Sequence, residues 1–88
     1  MYQVEFTTRA IKEALVLEKS DRQAYKKLSR LLVELALNPF TGSGKPEKLK
    51  YRHNEWSRRI TGKHRLVYSV NDETVIVIVL SVSKHYEE

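Results

Sequence analysis

The sequence contains no cysteine, and this absence excludes two common ways of stabilising a small protein. Without thiols the chain has no disulfide framework and no thiolate metal site, a composition that fits a reducing compartment. The three histidines, His53, His64 and His85, lack the spacing that metal ligands require. We therefore expect neither a metal nor another cofactor.

Long apolar runs are also missing. The longest, Val75 to Leu80, falls far short of the roughly 20 residues that a membrane-spanning helix needs. The N-terminal letters MYQVEF have no basic segment followed by an apolar stretch, which is the pattern of a secretion signal. These features predict a cytoplasmic protein that does not associate with membranes.

The length of 88 residues predicts a single domain spanning residues 1–88. A chain of this size buries only roughly 60–65% of the surface that its unfolded form exposes. A hydrophobic fraction of 41% suits a folded globule with one modest core. Any functional site must therefore lie in a surface cleft.

Acidic residues are scarce between Lys45 and Arg65, where eight basic residues accompany only Glu47 and Glu55. This window carries more than the whole net charge of +5, because the rest of the chain is slightly acidic. A concentrated basic patch repels itself unless a polyanion binds it. The alternative is a solvated surface that only keeps the protein soluble.

The pattern of residues predicts two helices and five strands. The letters YQVEF alternate as a strand does, and two helical segments follow, stopped by Asn38-Pro39. Four further strand segments come after the loop NPFTGSGKPEK, and the run VIVIVL is expected to be the central strand, buried on both faces along part of its length. The predicted fold is α+β, in the order β-α-α-β-β-β-β, with a helical hairpin packed on an antiparallel sheet.

The helices should start at polar caps. Thr7 or Thr8 can cap the first helix, and Ser20 with Gln23 has the spacing of a capping box for the second. The first helix is expected to present the stripe Ile11, Ala14, Leu15 and Glu18. The second is expected to present Leu28, Leu31, Leu32 and Leu35.

Strand alternation separates the arginines of the segment WSRRITGKHRLVYSV. If the helices cover Trp56 and Ile60, then Arg59 and Arg65 emerge together on the open face of the sheet. Arg58 shares parity with Trp56, so we expect it near a sheet edge or beside a bulge.

Paired arginines suit a phosphate, because each guanidinium forms bidentate hydrogen bonds and keeps its charge. A glutamate and a histidine on opposite sides of that phosphate could act as base and acid. Glu47 and His85 are the candidates. Glu47 fits equally well as an ion-pair partner of Lys45 or Lys50, and His85 as an ordinary surface histidine.

The segments NPFTGSGKPEKLK and WSRRITGKHRLVYSV and the terminal HY resemble the YoeB/Txe branch of the RelE/ParE toxin superfamily, nearly end to end. The resemblance implies a toxin of a type II toxin–antitoxin module with a RelE-like, microbial-ribonuclease-like fold. It implies cleavage of mRNA in the ribosomal A site, without a metal, through attack by the 2′-hydroxyl. The implied partners are the ribosome, mRNA, a YefM/Axe-like antitoxin and a second copy in a possible homodimer.

The same resemblance assigns roles to residues. Glu47 becomes the general base, Arg65 the group that stabilises the phosphorane, His85 the general acid, and Tyr86 the residue that positions the scissile nucleotide. The expected phosphate or RNA contacts are Arg59, Arg58, Lys45 and Lys50.

Two other functions compete with this one. A ParE-like inhibitor of DNA gyrase would lack the catalytic glutamate and histidine, whereas this sequence has both Glu47 and His85. A general RNA-binding module needs only the basic window, and it predicts that Glu47→Ala leaves function intact.

Overall fold

The computed structural model describes residues 1–83 and contains the predicted seven elements in the predicted order. They are β1 (Gln3–Phe6), α1 (Thr8–Ser20), α2 (Arg22–Leu37), β2 (Glu47–Lys48), β3 (Glu55–Arg59), β4 (Arg65–Asn71) and β5 (Ile76–Ser83). In residues 1–83 neither helix is long and apolar enough to cross a membrane.

The sheet is mixed rather than wholly antiparallel. Its strand order is β1-β5-β4-β3-β2, and the four strands from β2 to β5 pair antiparallel as predicted. β1 instead runs parallel to β5, with Gln3 opposite Ile76. This parallel pairing is possible because the helical hairpin follows β1 and carries the chain to β2 at the far edge of the sheet. The position beside β1 therefore stays open for the last strand, and parallel strands need such a long connection. Alternation along a strand carries no information about the direction of its neighbour.

A single residue, Asp21, separates the two helices. Its carboxylate accepts from the backbone N–H of Ala24 at 3.1 Å and caps α2, while its own N–H donates to the Leu17 carbonyl and closes α1. The expectation that Ser20 begins the second helix was therefore wrong, because α1 continues through Ser20. The Thr7 cap is confirmed, since the Thr7 hydroxyl accepts from the Ala10 N–H at 3.1 Å.

Helix α1 packs on the sheet through smaller residues than predicted. Ala10 and Leu17 are buried, whereas Ile11 and Leu15 are 48% and 52% exposed. The two alanines, Ala10 and Ala14, allow the helix to approach β5 closely, so the buried stripe is rotated relative to the predicted one. In α2 the leucines Leu28, Leu31 and Leu35 are buried and Leu32 is partly buried, which confirms that stripe.

Strand β5 is not the central strand, because β4 occupies the middle of the sheet, and β5 is buried on both faces along only part of its length, as predicted. Ile78, in the middle of the apolar run, is 37% exposed. Val67 pairs with Ser81 and Tyr68 with Val79, so Leu80 is an extra residue that forms a β-bulge. The bulge shifts the alternation by one residue. Val77, Val79 and Val82 therefore all reach the core, and Ser81 lies on the open face.

Candidate functional site

Arg59 and Arg65 are direct cross-strand partners on the face of the sheet that the helices leave uncovered. Directly opposite residues have Cβ atoms roughly 4.5–5.5 Å apart, so both guanidinium groups can reach one anion. Arg59 is exposed at the end of β3, and Arg65 is half-buried at the start of β4. This pair is the feature that strand alternation predicted.

Glu47 occupies the same face on the neighbouring strand. It pairs with Ser57 in β3, which stands two residues before Arg59 on the same side of the sheet. A residue and its diagonal cross-strand neighbour lie roughly 7–8 Å apart, within reach of long side chains. The exposed carboxylate of Glu47 and the two arginines thus come from three adjacent strands.

Ser57 lies between these charges and is not among the site residues predicted from the sequence. Its side chain is completely buried in a strand position that faces away from the helices, and its hydroxyl accepts a long hydrogen bond of 3.4 Å from Arg65 Nη1. The hydroxyl therefore helps to orient the Arg65 guanidinium beside Glu47. A small polar residue alternating with arginines in WSRRI is the only signal that the sequence carries.

Arg58 is not a surface residue, and the prediction that it contacts RNA was wrong. Its exposure is 0%, and it lies among the helix-facing residues opposite Leu66 rather than at an edge or bulge. It forms an ion pair of 3.0 Å with Glu34 of α2. Its guanidinium bonds to carbonyls of the loop after α2, so it is satisfied inside the protein and unavailable to a ligand.

That loop, residues 38–46, connects α2 to β2 and so determines where Glu47 lies. Gly44 has φ +80°, and its carbonyl accepts from the Arg59 N–H at 2.6 Å. Lys45 follows, immediately before Pro46. Its φ is +52°, a backbone conformation that residues other than glycine rarely adopt. The loop is therefore clamped against β3 at the point where β2 begins.

The two lysines expected to bind RNA lie at either side of β2. Lys45 is exposed in the strained turn, and Lys50 is exposed in the turn after the strand. They extend the basic surface on both sides of Glu47. His85 and Tyr86 lie outside the described residues, two and three positions after Ser83 in the sequence.

Comparison with known proteins gives consistent matches. A family model described as "YoeB-like toxin of bacterial type II toxin-antitoxin system" matches residues 6–86. A toxin YoeB of Streptomyces coelicolor is 38% identical over 76 residues, which cover 85% of this chain and 90% of that protein.

Solved structures agree with the sequence match. A YoeB/ParE toxin from Agrobacterium tumefaciens superposes with a TM-score of 0.88 at 32% identity, covering 96% of this chain and 99% of that one. A heterotetrameric YoeB-YefM toxin–antitoxin complex from Staphylococcus aureus gives a TM-score of 0.81 at 34% identity, covering 98% and 99%. The chain described here therefore belongs to the YoeB-like toxins of bacterial type II toxin–antitoxin systems.

Proposed function

We propose that this toxin is an endoribonuclease that cuts mRNA in the A site of the ribosome. The observation that supports the proposal is the placement of Glu47, Arg59 and Arg65 on one face of three adjacent strands. A base and two permanent cations side by side fit a phosphodiester that is attacked by its own ribose. Cleavage of the message would stop translation.

The arginine pair supplies electrostatic stabilisation. Arg65, held by Ser57, faces the phosphate as negative charge builds up on its equatorial oxygens in the transition state. Arg59, opposite Arg65, binds the same phosphate or the next one along the RNA. Arginine suits both positions because its planar fork makes two parallel hydrogen bonds to one anion.

Two proton transfers complete the reaction. The Glu47 carboxylate takes the proton of the 2′-hydroxyl, and the 2′-oxygen then attacks the adjacent phosphorus. The bond from phosphorus to the 5′-oxygen breaks, and the departing oxygen takes a proton from His85. The products are a 2′,3′-cyclic phosphate and a free 5′-hydroxyl. The role of His85, and that of Tyr86 in positioning the nucleotide, rest on the sequence resemblance. No step of this scheme assigns a role to a metal.

The proposal includes two protein partners. The S. aureus relative forms a complex with YefM, and we expect a YefM-like antitoxin to cover the basic face of this toxin as well. We also expect the toxin to form homodimers in the cytoplasm. Light scattering of the purified toxin, with and without antitoxin, measures both assemblies.

Cleavage of a defined mRNA on purified ribosomes tests the function. Primer extension would map the 3′ ends produced by the wild type, Glu47→Ala and His85→Ala. We expect discrete cuts in the A-site codon by the wild type, slowed about 10²–10⁴-fold in each variant, the range typical of a lost proton-transfer group. Co-sedimentation with ribosomes should be retained by both variants.

Glu55→Ala is the matched control, because Glu55 is the other acidic residue of the basic window and pairs only weakly with Arg52, at 3.4 Å. It should cut at nearly the wild-type rate. Failure of the wild type to cut the message on the ribosome would overturn the proposal. Full cleavage by Glu47→Ala would overturn the role of Glu47 as the base. RNA binding without cleavage, unchanged in Glu47→Ala, would instead indicate an RNA-binding module, and inhibition of DNA supercoiling would indicate a gyrase inhibitor.

A further inference from the structure

The buried guanidinium of Arg58 has all of its donors satisfied, and most of them point at one loop. An arginine offers five N–H groups. Here the five bonds go to Tyr68 Oη (3.1 Å), Glu34 Oε1 (3.0 Å) and the carbonyls of Asn38 (2.9 Å), Thr41 (2.9 Å) and Ser43 (3.3 Å). Three carbonyls of a single short loop therefore turn inward toward one side chain.

Two further side chains complete the same network. The Tyr68 hydroxyl, itself an acceptor from Arg58, donates to the carbonyl of Pro39 at 2.7 Å. The Glu34 carboxylate accepts from the backbone N–H of Ser43 at 2.7 Å as well as from Arg58. The loop is thus held at four carbonyls and one amide by residues of α2, β3 and β4.

The position of the network links it to Glu47. Its last anchored residue, Ser43, immediately precedes Gly44, whose carbonyl bonds to the Arg59 N–H, and Glu47 follows three residues later. Displacement of the loop would therefore move the start of β2, because a strand of only two residues is too short to fix its own position in the sheet. The distance between the Glu47 carboxylate and the arginine pair depends on this anchoring.

A purely structural role would not require an arginine at this place. The neighbouring helix-facing residues, Trp56 and Ile60, are apolar, and a buried charge stabilises a fold no better than apolar residues of similar size. Only the planar fork of arginine can bind several carbonyls of a curved loop at once. The buried charge of Arg58 is therefore better explained by the conformation that it imposes on the loop than by a contribution to the stability of the fold.

We propose that Arg58, Glu34 and Tyr68 form a positioning network that fixes the Glu47 carboxylate relative to Arg59 and Arg65. The inference rests on the proposed function, because it concerns the base of that reaction. None of the three touches the RNA in this scheme. Each acts through the backbone of residues 38–44. A displacement of about 1 Å at a reacting group can cost roughly 100-fold in rate.

A double-mutant cycle on the ribosome tests the proposal. Tyr68→Phe removes only the hydroxyl, and we expect it to slow single-turnover cleavage about 10–100-fold at saturating ribosome concentration. The ribosome concentration for half-maximal rate should not change, because the basic surface is intact. In a Glu47→Gln background, followed over long incubations, the same change should alter the rate less than about twofold, because no carboxylate remains to be positioned.

Two further variants support the cycle. Tyr2→Phe also removes a tertiary hydrogen bond, that from Tyr2 Oη to Asp72 at 2.6 Å, but it leaves the loop network intact and should cut at the wild-type rate. Glu34→Gln, in a partly exposed position, repeats the test if Tyr68→Phe folds poorly. Amide NMR signals of Lys45 and of residues 47–49 should shift in Tyr68→Phe and Glu34→Gln and stay in place in Tyr2→Phe.

The outcomes separate the two proposals. A wild type that does not cut mRNA overturns the proposed function and, with it, the role of the network in catalysis. A wild type that cuts, together with Tyr68→Phe and Glu34→Gln variants that cut equally fast, overturns the positioning inference alone. An equal slowing by Tyr68→Phe with and without the Glu47→Gln substitution also overturns it, since the network would then act on stability and not through Glu47.

Discussion

The carboxylate of Glu13 in α1 accepts a hydrogen bond of 2.8 Å from the backbone N–H of Val82 in β5. This contact lies beside the bulge at Leu80, whose carbonyl accepts from the Thr7 hydroxyl at 2.9 Å. A bulge interrupts the backbone ladder and leaves polar groups that need other partners. The N-cap side chain of α1, Thr7, and the Glu13 side chain in the middle of the helix therefore stabilise the irregular end of the last strand.

Removal of the Glu13 carboxylate should destabilise the protein. Glu13→Ala leaves the Val82 N–H without its acceptor, and we expect the free energy of unfolding to fall by about 1–3 kcal/mol. Urea denaturation of the two proteins measures the difference. Glu13→Gln, which keeps an acceptor oxygen, should recover most of the loss.

Arg9→Ala is the control for the charge of Glu13. It removes the other Glu13 partner, an ion pair of 3.2 Å in which the Arg9 side chain is 68% exposed. Exposed pairs contribute about 0.5 kcal/mol or less. A loss in Arg9→Ala as large as that in Glu13→Ala would contradict the role assigned to the Val82 bond.

Substitution of Arg65 by lysine should reduce cleavage although it keeps the positive charge. An ammonium group cannot make two parallel hydrogen bonds to a phosphate, so we expect Arg65→Lys to cut mRNA on the ribosome at least about tenfold more slowly. Primer extension under single-turnover conditions measures the rate. Arg52→Lys makes the same change at an arginine that pairs with Glu55 at 3.4 Å and should keep the wild-type rate, and equal slowing of both variants would argue for a nonspecific charge effect.

The two glycines Gly44 and Gly62 should respond differently to alanine. Gly44 has φ +80°, and an added Cβ would stand 2.7 Å from the Arg59 carbonyl oxygen, so Gly44→Ala should cost at least about 1–2 kcal/mol of stability. An added Cβ at Gly62 meets nothing within 4 Å, and Gly62→Ala should be neutral or stabilising by about 0.4–1 kcal/mol. Thermal unfolding of both variants checks the contrast, and equal melting temperatures would contradict it.

Glu34 should make stability depend on pH in the acid range. Hydrogen bonds from the Ser43 backbone N–H and hydroxyl, followed by the charge of Arg58, lower the pKa of the Glu34 carboxyl from its ordinary value of 4.5, against the effect of desolvation. Because the pKa is lower in the folded state, this stabilisation is present above 4.5 and is lost as the pH falls through the lowered pKa.

Urea denaturation of the wild type and Glu34→Gln at a series of pH values measures this effect. The wild type should be the more stable of the two at pH 7, and the difference should shrink steadily below pH 4.5. All other carboxylates are common to both proteins, so the difference isolates Glu34. A gap that stays constant down to low pH would exclude this carboxyl as the source.

Local patterns were sufficient to predict much of the fold and part of the site. Alternation in WSRRI and HRLVY correctly put Arg59 and Arg65 on the same uncovered face, because that signal depends only on the two-residue period of a strand. The Thr7 cap and the leucine stripe of α2 are equally local. The roles of Glu47 as general base, of His85 as general acid and of Tyr86 in positioning the nucleotide remain predictions.

The errors at Arg58, at the bulge of β5 and in the pairing of β1 arose from contacts between distant parts of the chain. Arg58 had the parity of a core residue, but its acceptors, Glu34 and three loop carbonyls, cannot be foreseen from spacing. The apolar run in β5 gave no sign of the bulge at Leu80, which depends on Thr7 and Glu13 more than 60 residues earlier. The parallel pairing of β1 with β5 joins the most distant strands of the described chain.

That pairing has a consequence for the synthesis of the toxin. Within residues 1–83, β1 has β5 as its only neighbour in the sheet, so the first strand to leave a translating ribosome must wait for the last. Contacts of such large sequence separation form late, after most of the chain is available. An unfinished chain that lacks β5 therefore cannot complete the sheet, and the toxin reaches its folded form only after nearly all of the described residues have been synthesised.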